Sequence, residues 1–102
     1  MGQKKYPPLT PSEVEAILKK SAFTFKRQVG DHAHFERLAT ARDPQRRVVT
    51  VDRGYSNFDD KILKSMIDQS GMTRSEFYGA TKRTALKAGV PILRATAEVE
   101  AD

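Results

Sequence analysis

Val14, Ile17 and Leu18 recur at helical spacing behind a start signal, Thr10-Pro11-Ser12-Glu13. Thr10 can cap, Pro11 fits the first helical position and Glu13 can reach back to complete a capping box. These signals predict a first helix that ends near Lys20 or Ser21. The period then changes from helical to alternating. Phe23-Thr24-Phe25-Lys26-Arg27-Gln28-Val29 reads as a strand, Gly30-Asp31 as a turn, and His32 to Leu38 as a second strand folded back on the first. Ala39 to Gln45 is a polar connection, and Arg47-Val48-Val49-Thr50-Val51, rich in β-branched residues, is a third strand. After the loop Gly54-Tyr55-Ser56-Asn57, a second helix from about Asp59 to Ser70 carries Ile62, Leu63, Met66 and Ile67 on one face and stops at Gly71. A second capping box, Thr73-Arg74-Ser75-Glu76, opens a third helix carrying Phe77, Ala80, Thr81 and Leu86, which Gly89 and Pro91 end.

The order α-β-β-β-α with an added C-terminal helix predicts an α+β fold of two layers, with the helices on one face of a small antiparallel sheet. Residues 1–8 read as a flexible arm, 9–88 as a single domain and 89–102 as a tail. Alternation assigns the faces. Phe23, Phe25 and Val29 go to the core with Ala33, Phe35, Val49 and Val51. Thr24, Lys26, Gln28, His32, His34, Glu36, Val48, Thr50 and Asp52 then face outward. Arg27 fits this scheme poorly, since strict alternation sends it inward; an edge position or a bulge beside Gly30 would release it.

Composition narrows the chemistry. The chain has no cysteine, which removes disulfides, thiolate catalysis and cysteine-ligated zinc together. No apolar run approaches the roughly 20 residues that span a bilayer, and the start of the chain lacks a signal-peptide apolar region, so a cytoplasmic protein without membrane contact is expected. The net charge is +5 over 102 residues. All of that excess lies in residues 1–53, with 11 Lys and Arg against 6 Asp and Glu; residues 54–102 hold 7 of each. An uneven positive charge fits a polyanionic partner, nucleic acid first, although it also serves as a solubilising surface.

The only two histidines, His32 and His34, stand one residue apart just after Gly30-Asp31. Three uses stay open from their spacing. They are incidental surface residues, or they are metal ligands with Asp31 as a third donor, a weak pattern without further histidines. Or they are acid/base groups, since imidazole alone both takes and gives a proton near neutrality. No nucleophile motif and no glycine-rich phosphate loop is present, and neither metal nor cofactor is expected.

With these residues in hand, the chain resembles the HicA (YcfA-like) family of bacterial toxin ribonucleases over roughly Leu9 to Phe77. The resemblance rests on the first helix 12–20, the aromatic-led strand from Phe23, the turn Gly30-Asp31-His32 with Phe35, the strand 47–51, and the run from Leu63 to Phe77. It implies a fold similar to the double-stranded RNA-binding domain. It also implies metal-independent cleavage of RNA by a histidine, here His32, and neutralisation by a HicB-type antitoxin. On that reading His34 is a possible assistant, Lys26, Arg27 and Arg37 hold phosphate, and Gly30 and Asp31 form the active-site turn. The alternative is a non-catalytic RNA-binding module on the same fold. The chain departs from the family pattern in carrying Asp31 where serine is usual, and in spacing its second histidine with Ala33.

Overall fold

A computed structural model describes residues 6–93. Seven elements follow one another: α1 (Pro11–Lys20), β1 (Thr24–Val29), β2 (His32–Arg37), β3 (Arg47–Asp52), α2 (Asp60–Ser70), α3 (Arg74–Gly79) and α4 (Lys82–Ala88). The three strands form one antiparallel sheet with β2 in the middle, so the chain is an α+β domain of the expected class.

Local chemistry starts and stops the helices where the pattern places them. At α1 the Thr10 hydroxyl accepts from the Glu13 amide (3.2 Å) and the Glu13 carboxylate from the Thr10 amide (2.9 Å). Asp59 caps α2, whose end needs a left-handed residue, supplied by Gly71 at φ +77°. The apolar faces of α1 and α2 meet Ala33, Phe35, Val49 and Val51 in one core, closed by Phe77 and Tyr78. Phe35 is fully buried there, and removing such a ring costs about 3–5 kcal/mol.

The single third helix expected after Thr73 is two short ones. Thr81 turns out to be a second N-cap: its hydroxyl accepts from the Thr84 amide (3.1 Å), while the Thr84 hydroxyl donates to the Tyr78 carbonyl (2.6 Å). A threonine that caps cannot also continue the preceding helix. The break rotates α4, so Thr84, Ala85 and Ala88 are buried and Leu86 is left 72% exposed.

Of the arm expected over residues 1–8, residues 1–5 lie outside the described residues. Its far end is tied down, with the Tyr6 ring 4.8 Å from that of Tyr78 and the Tyr78 hydroxyl donating to the Pro7 carbonyl. Leu9 and Phe58 exchange two backbone hydrogen bonds. The tail expected over residues 89–102 is described as far as Leu93, whose amide donates to the Gly79 carbonyl at 2.8 Å. No helix among the described residues is long and apolar enough to cross a membrane.

β1 departs from the alternating scheme. Phe25 pairs with Phe35, but Arg27 pairs with His34, so one extra residue is inserted between Phe25 and Arg27. Beyond this bulge the faces swap: Val29 pairs with His32 and is 59% exposed, not part of the core. Phe25 stays on the helix side of the free edge, edge-on to Phe35 and under the Arg53 guanidinium at 5.3 Å, yet is 47% exposed. The bulge that frees Arg27 thus lies three residues before the position beside Gly30.

Candidate active site

The β1–β2 hairpin has two central residues, Gly30 and Asp31, since Val29 pairs with His32. Gly30 has φ +59°, a left-handed value at the first central position that favours glycine. Nothing lies within 4 Å of where a Cβ would stand on Gly30, so the turn needs glycine for its conformation and leaves open space above it.

His32 opens the central strand just past this turn, with His34 two residues along on the same face. Register sets their neighbours on β3. His32 faces Asp52, whose carboxylate is 3.5 Å from Nε2, and the imidazole is 57% exposed. His34 faces Thr50, and its Nδ1 is 3.0 Å from the Thr50 hydroxyl, in a bond that either partner can donate. Thr50 is itself fixed, because its amide donates to the Gln69 side chain of α2 at 3.3 Å. His32 is therefore the open imidazole and His34 the pinned one. Asp31 lies beside Asp52: the position a Gly54 Cβ would take is 2.9 Å from an Asp31 carboxylate oxygen and 3.2 Å from one of Asp52. Glycine at 54 keeps room for both acids. Among the described residues, no three His, Asp or Glu side chains are grouped to hold a metal ion.

The basic residues expected around the histidines divide. The bulge brings Arg27 opposite His34 on the open face. Lys26 stands on that face as well, but pairs with Glu36 at 3.1 Å, and Arg46 pairs with the same carboxylate. Arg46 first, then Lys26, holds the Glu36 carboxyl below its usual range. Arg37 is elsewhere. Its side chain is only 13% exposed, bonded to Asp43 and laid over the Phe23 ring at 5.2 Å. It shares the helix side of the sheet with Ala33 and Phe35, as alternation along β2 requires. The structure thus brings together His32, His34, Lys26, Arg27 and the turn, and leaves Arg37 at the other end of β2.

A brace that no sequence motif announces lies behind the turn. Arg53 donates two bonds to Glu15 of α1 (2.7 and 2.8 Å) and a third to the Gln28 side-chain oxygen. Gln28 in turn donates from Nε2 to the Gly30 carbonyl (2.8 Å), and the Arg53 amide donates to the Asp31 carbonyl (2.7 Å). Both carbonyls of the turn are therefore anchored through one arginine to the first helix. Partners 25 and 38 residues apart leave no local signal. Asp52 was legible as an outward residue; its pairing with His32 follows from register alone.

A family model described as the HicA toxin of bacterial toxin–antitoxin systems matches residues 11–72, from the first turn of α1 to just past α2. No curated protein and no solved structure matches the chain.

Proposed function

Because the chain belongs to the HicA toxin family, and so is a toxin of a bacterial toxin–antitoxin system, we propose that it is an endoribonuclease whose catalytic residue is His32. The observation that carries this reading is an exposed imidazole on a braced turn with a carboxylate 3.5 Å from Nε2. Asp52 favours the tautomer with hydrogen on Nε2, which leaves Nδ1 as the base. His32 takes the proton of an RNA 2′-hydroxyl. The freed O2′ forms a bond to the adjacent phosphorus, the P–O5′ bond breaks, and the departing 5′ oxygen takes a proton from His34 or from water. The products are a 2′,3′-cyclic phosphate and a 5′-hydroxyl. Arg27, opposite His34 on the same face, offsets the charge of the phosphorane.

The neutralising antitoxin, HicB-like in this reading, covers the open sheet face. Co-expression with its antitoxin then protects His32 from chemical modification, and a stable complex that leaves His32 fully reactive overturns occlusion.

The test of the activity is cleavage of an unstructured RNA by purified protein in EDTA. Cleavage with cyclic phosphate ends, lost by a factor of about 100 or more in His32→Ala, is the expected result. Binding without cleavage by the wild type favours the non-catalytic RNA-binding module, and cleavage that stops in EDTA favours a metal.

A further inference from the structure

The positive excess of the chain is not at the histidines. Along the whole open face Lys26, Arg27 and Arg46 are matched by Glu36, Asp52 and Asp31, so that face is close to neutral. The excess gathers at the opposite end of the sheet. A groove of about 880 Å³ runs between the end of α1, the β2–β3 connection and the start of α3. Among the described residues its wall holds Lys19, Lys20, Arg37, Arg42 and Arg47 against Asp43 and Glu76.

This groove is built rather than merely charged. Asp43 binds both Arg37 and Arg47, the latter at 2.9 Å, and fixes two guanidinium groups with one carboxylate. Arg47 lies flat against Gly71, where a Cβ would come within 2.6 Å of its Nε. Thr40 holds the loop closed: its amide donates to the Asp43 carbonyl (2.8 Å) and its hydroxyl accepts from the Asp43 amide (3.0 Å). The result is a rigid rim from which Arg42 projects. Among the described residues neither Lys19 nor Arg42 is in an ion pair, so both remain open to a ligand. A smaller cavity of about 370 Å³ continues the path, since it shares Ala22, Arg37 and Thr40 with the groove and reaches Lys26 and Glu36 on the open face.

We propose that this groove is a second RNA site, which binds the phosphate backbone of the strand whose scissile phosphate lies at His32. This rests on the ribonuclease reading above. A near-neutral reaction face cannot by itself hold a polyanion by counterion release, whereas a row of cations at the far end of the same sheet, with the smaller cavity between, can. From His32 to Arg37 the strand rises about 17 Å, so the groove engages nucleotides several positions from the cleaved bond and leaves the shortest substrates untouched.

The test uses the full chain and 2′-O-methyl oligoribonucleotides, which lack the attacking hydroxyl and cannot be cleaved by this route. In a Lys19→Gln/Arg42→Gln variant, with folding checked by thermal melting, affinity for a strand of about 12 nucleotides falls and its salt dependence weakens. Two lost phosphate contacts shrink the affinity change between about 50 and 200 mM salt by roughly sevenfold. Affinity for a trinucleotide, and the rate of its cleavage as ordinary RNA, stay at the wild-type level. A single Arg42→Glu charge reversal gives the same direction without touching α1. Wild-type affinity and salt slope in both variants overturn the proposal. So does a variant that loses an acidic partner protein but keeps RNA, which assigns the groove to that partner. If wild-type protein itself shows no salt-dependent affinity for RNA, the ribonuclease reading fails first, and the groove site with it.

Discussion

The two ends of the sheet use the same residue types in opposite ways. At the hairpin end, carboxylates and cations are near balance, and an arginine is spent on holding backbone: Arg53 reaches the turn through Gln28 and its own amide. At the far end cations outnumber acids, and Asp43 serves to space two of them rather than to cancel them all. Proton chemistry needs an imidazole held in place among modest fields, whereas grip on a polyanion needs surplus charge. On the proposed reading, separating the two lets a small domain have both.

The largest expected effect tests that separation directly. His32→Ala loses cleavage by about 100-fold or more, as an acid/base group does, yet keeps the wild-type affinity for a long oligonucleotide. The groove variant shows the reverse. Parallel measurement of cleavage rate and binding isotherm for both decides the matter; if His32→Ala also loses affinity in proportion, the two ends are one site and the comparison collapses.

How much of this was legible depends on whether the cause is local. Capping boxes at Thr10 and Thr73, the glycine stop at Gly71 and the alternation of β2 and β3 act over a few residues, and each stands where the sequence puts it. β1 misled only in part: the misfit of Arg27 pointed to a bulge, but a period-two pattern does not say where the bulge sits. The inserted residue is visible only in the pairing, and it moved Val29 out of the core and Arg27 onto the open face. Thr81 misled because a threonine on a helical face and a threonine cap look alike until Thr84 bonds to Tyr78. Arg37 was recoverable, since alternation with Ala33 and Phe35 sends it to the helix side. Its charge argued for the open face, and Asp43, six residues on, is what lets the helix side accept it.

Next in size is an effect that belongs to neither end. Glu13 is buried between α1 and α4 and bonded to the Thr10 amide, Lys87 and Arg83. Burial raises its carboxyl, but those donors outweigh it and bring the group from 4.5 to about 2. A carboxyl depressed by folding adds stability that is fully present above its unfolded value near 4.5 and is lost as pH falls toward about 2. With Arg83 largely exposed, that contribution is discounted to about 2 kcal/mol. Glu13→Gln is expected to lose that stability in urea unfolding at pH 7 and to flatten the acid limb between about pH 5 and 2, with cleavage by the folded protein unchanged. A variant that folds normally but cleaves poorly would instead link α4 to the reaction and blur the division between frame and site.

The brace comes third. Arg53→Ala frees the Gln28 side chain and unties the turn from α1 while touching neither substrate nor histidine. A turn loosened in this way lowers kcat by about tenfold and leaves KM near the wild-type value, since misplacement of a catalytic group is felt in the transition state. Arg53→Lys, which reaches one Glu15 oxygen but not the bidentate pair, recovers part of the rate. A fall in affinity with kcat unchanged would make Arg53 a substrate contact and take it out of the frame.

The smallest expected effect concerns the acid at the turn. Asp31 precedes His32, the proposed catalytic residue, and its carboxylate lies beside that of Asp52. Two negative groups at the mouth of a site that must admit phosphate work against substrate, and only one of them, Asp52, is within reach of His32 Nε2. A unit charge about 7 Å from a phosphate contributes on the order of 1 kcal/mol of repulsion near a protein surface. Asp31→Ser keeps the carbonyl that accepts from the Arg53 amide, so the brace survives the change. The variant is expected to raise kcat/KM for RNA by about fivefold at low salt, with the gain shrinking as salt screens the lost charge. Rates across a salt series, read beside those of Asp52→Asn, distinguish the two acids: loss at position 52 and gain at position 31. A loss at both positions would mean that Asp31 also works on the imidazole, and that this end of the sheet needs its full negative charge to run the reaction.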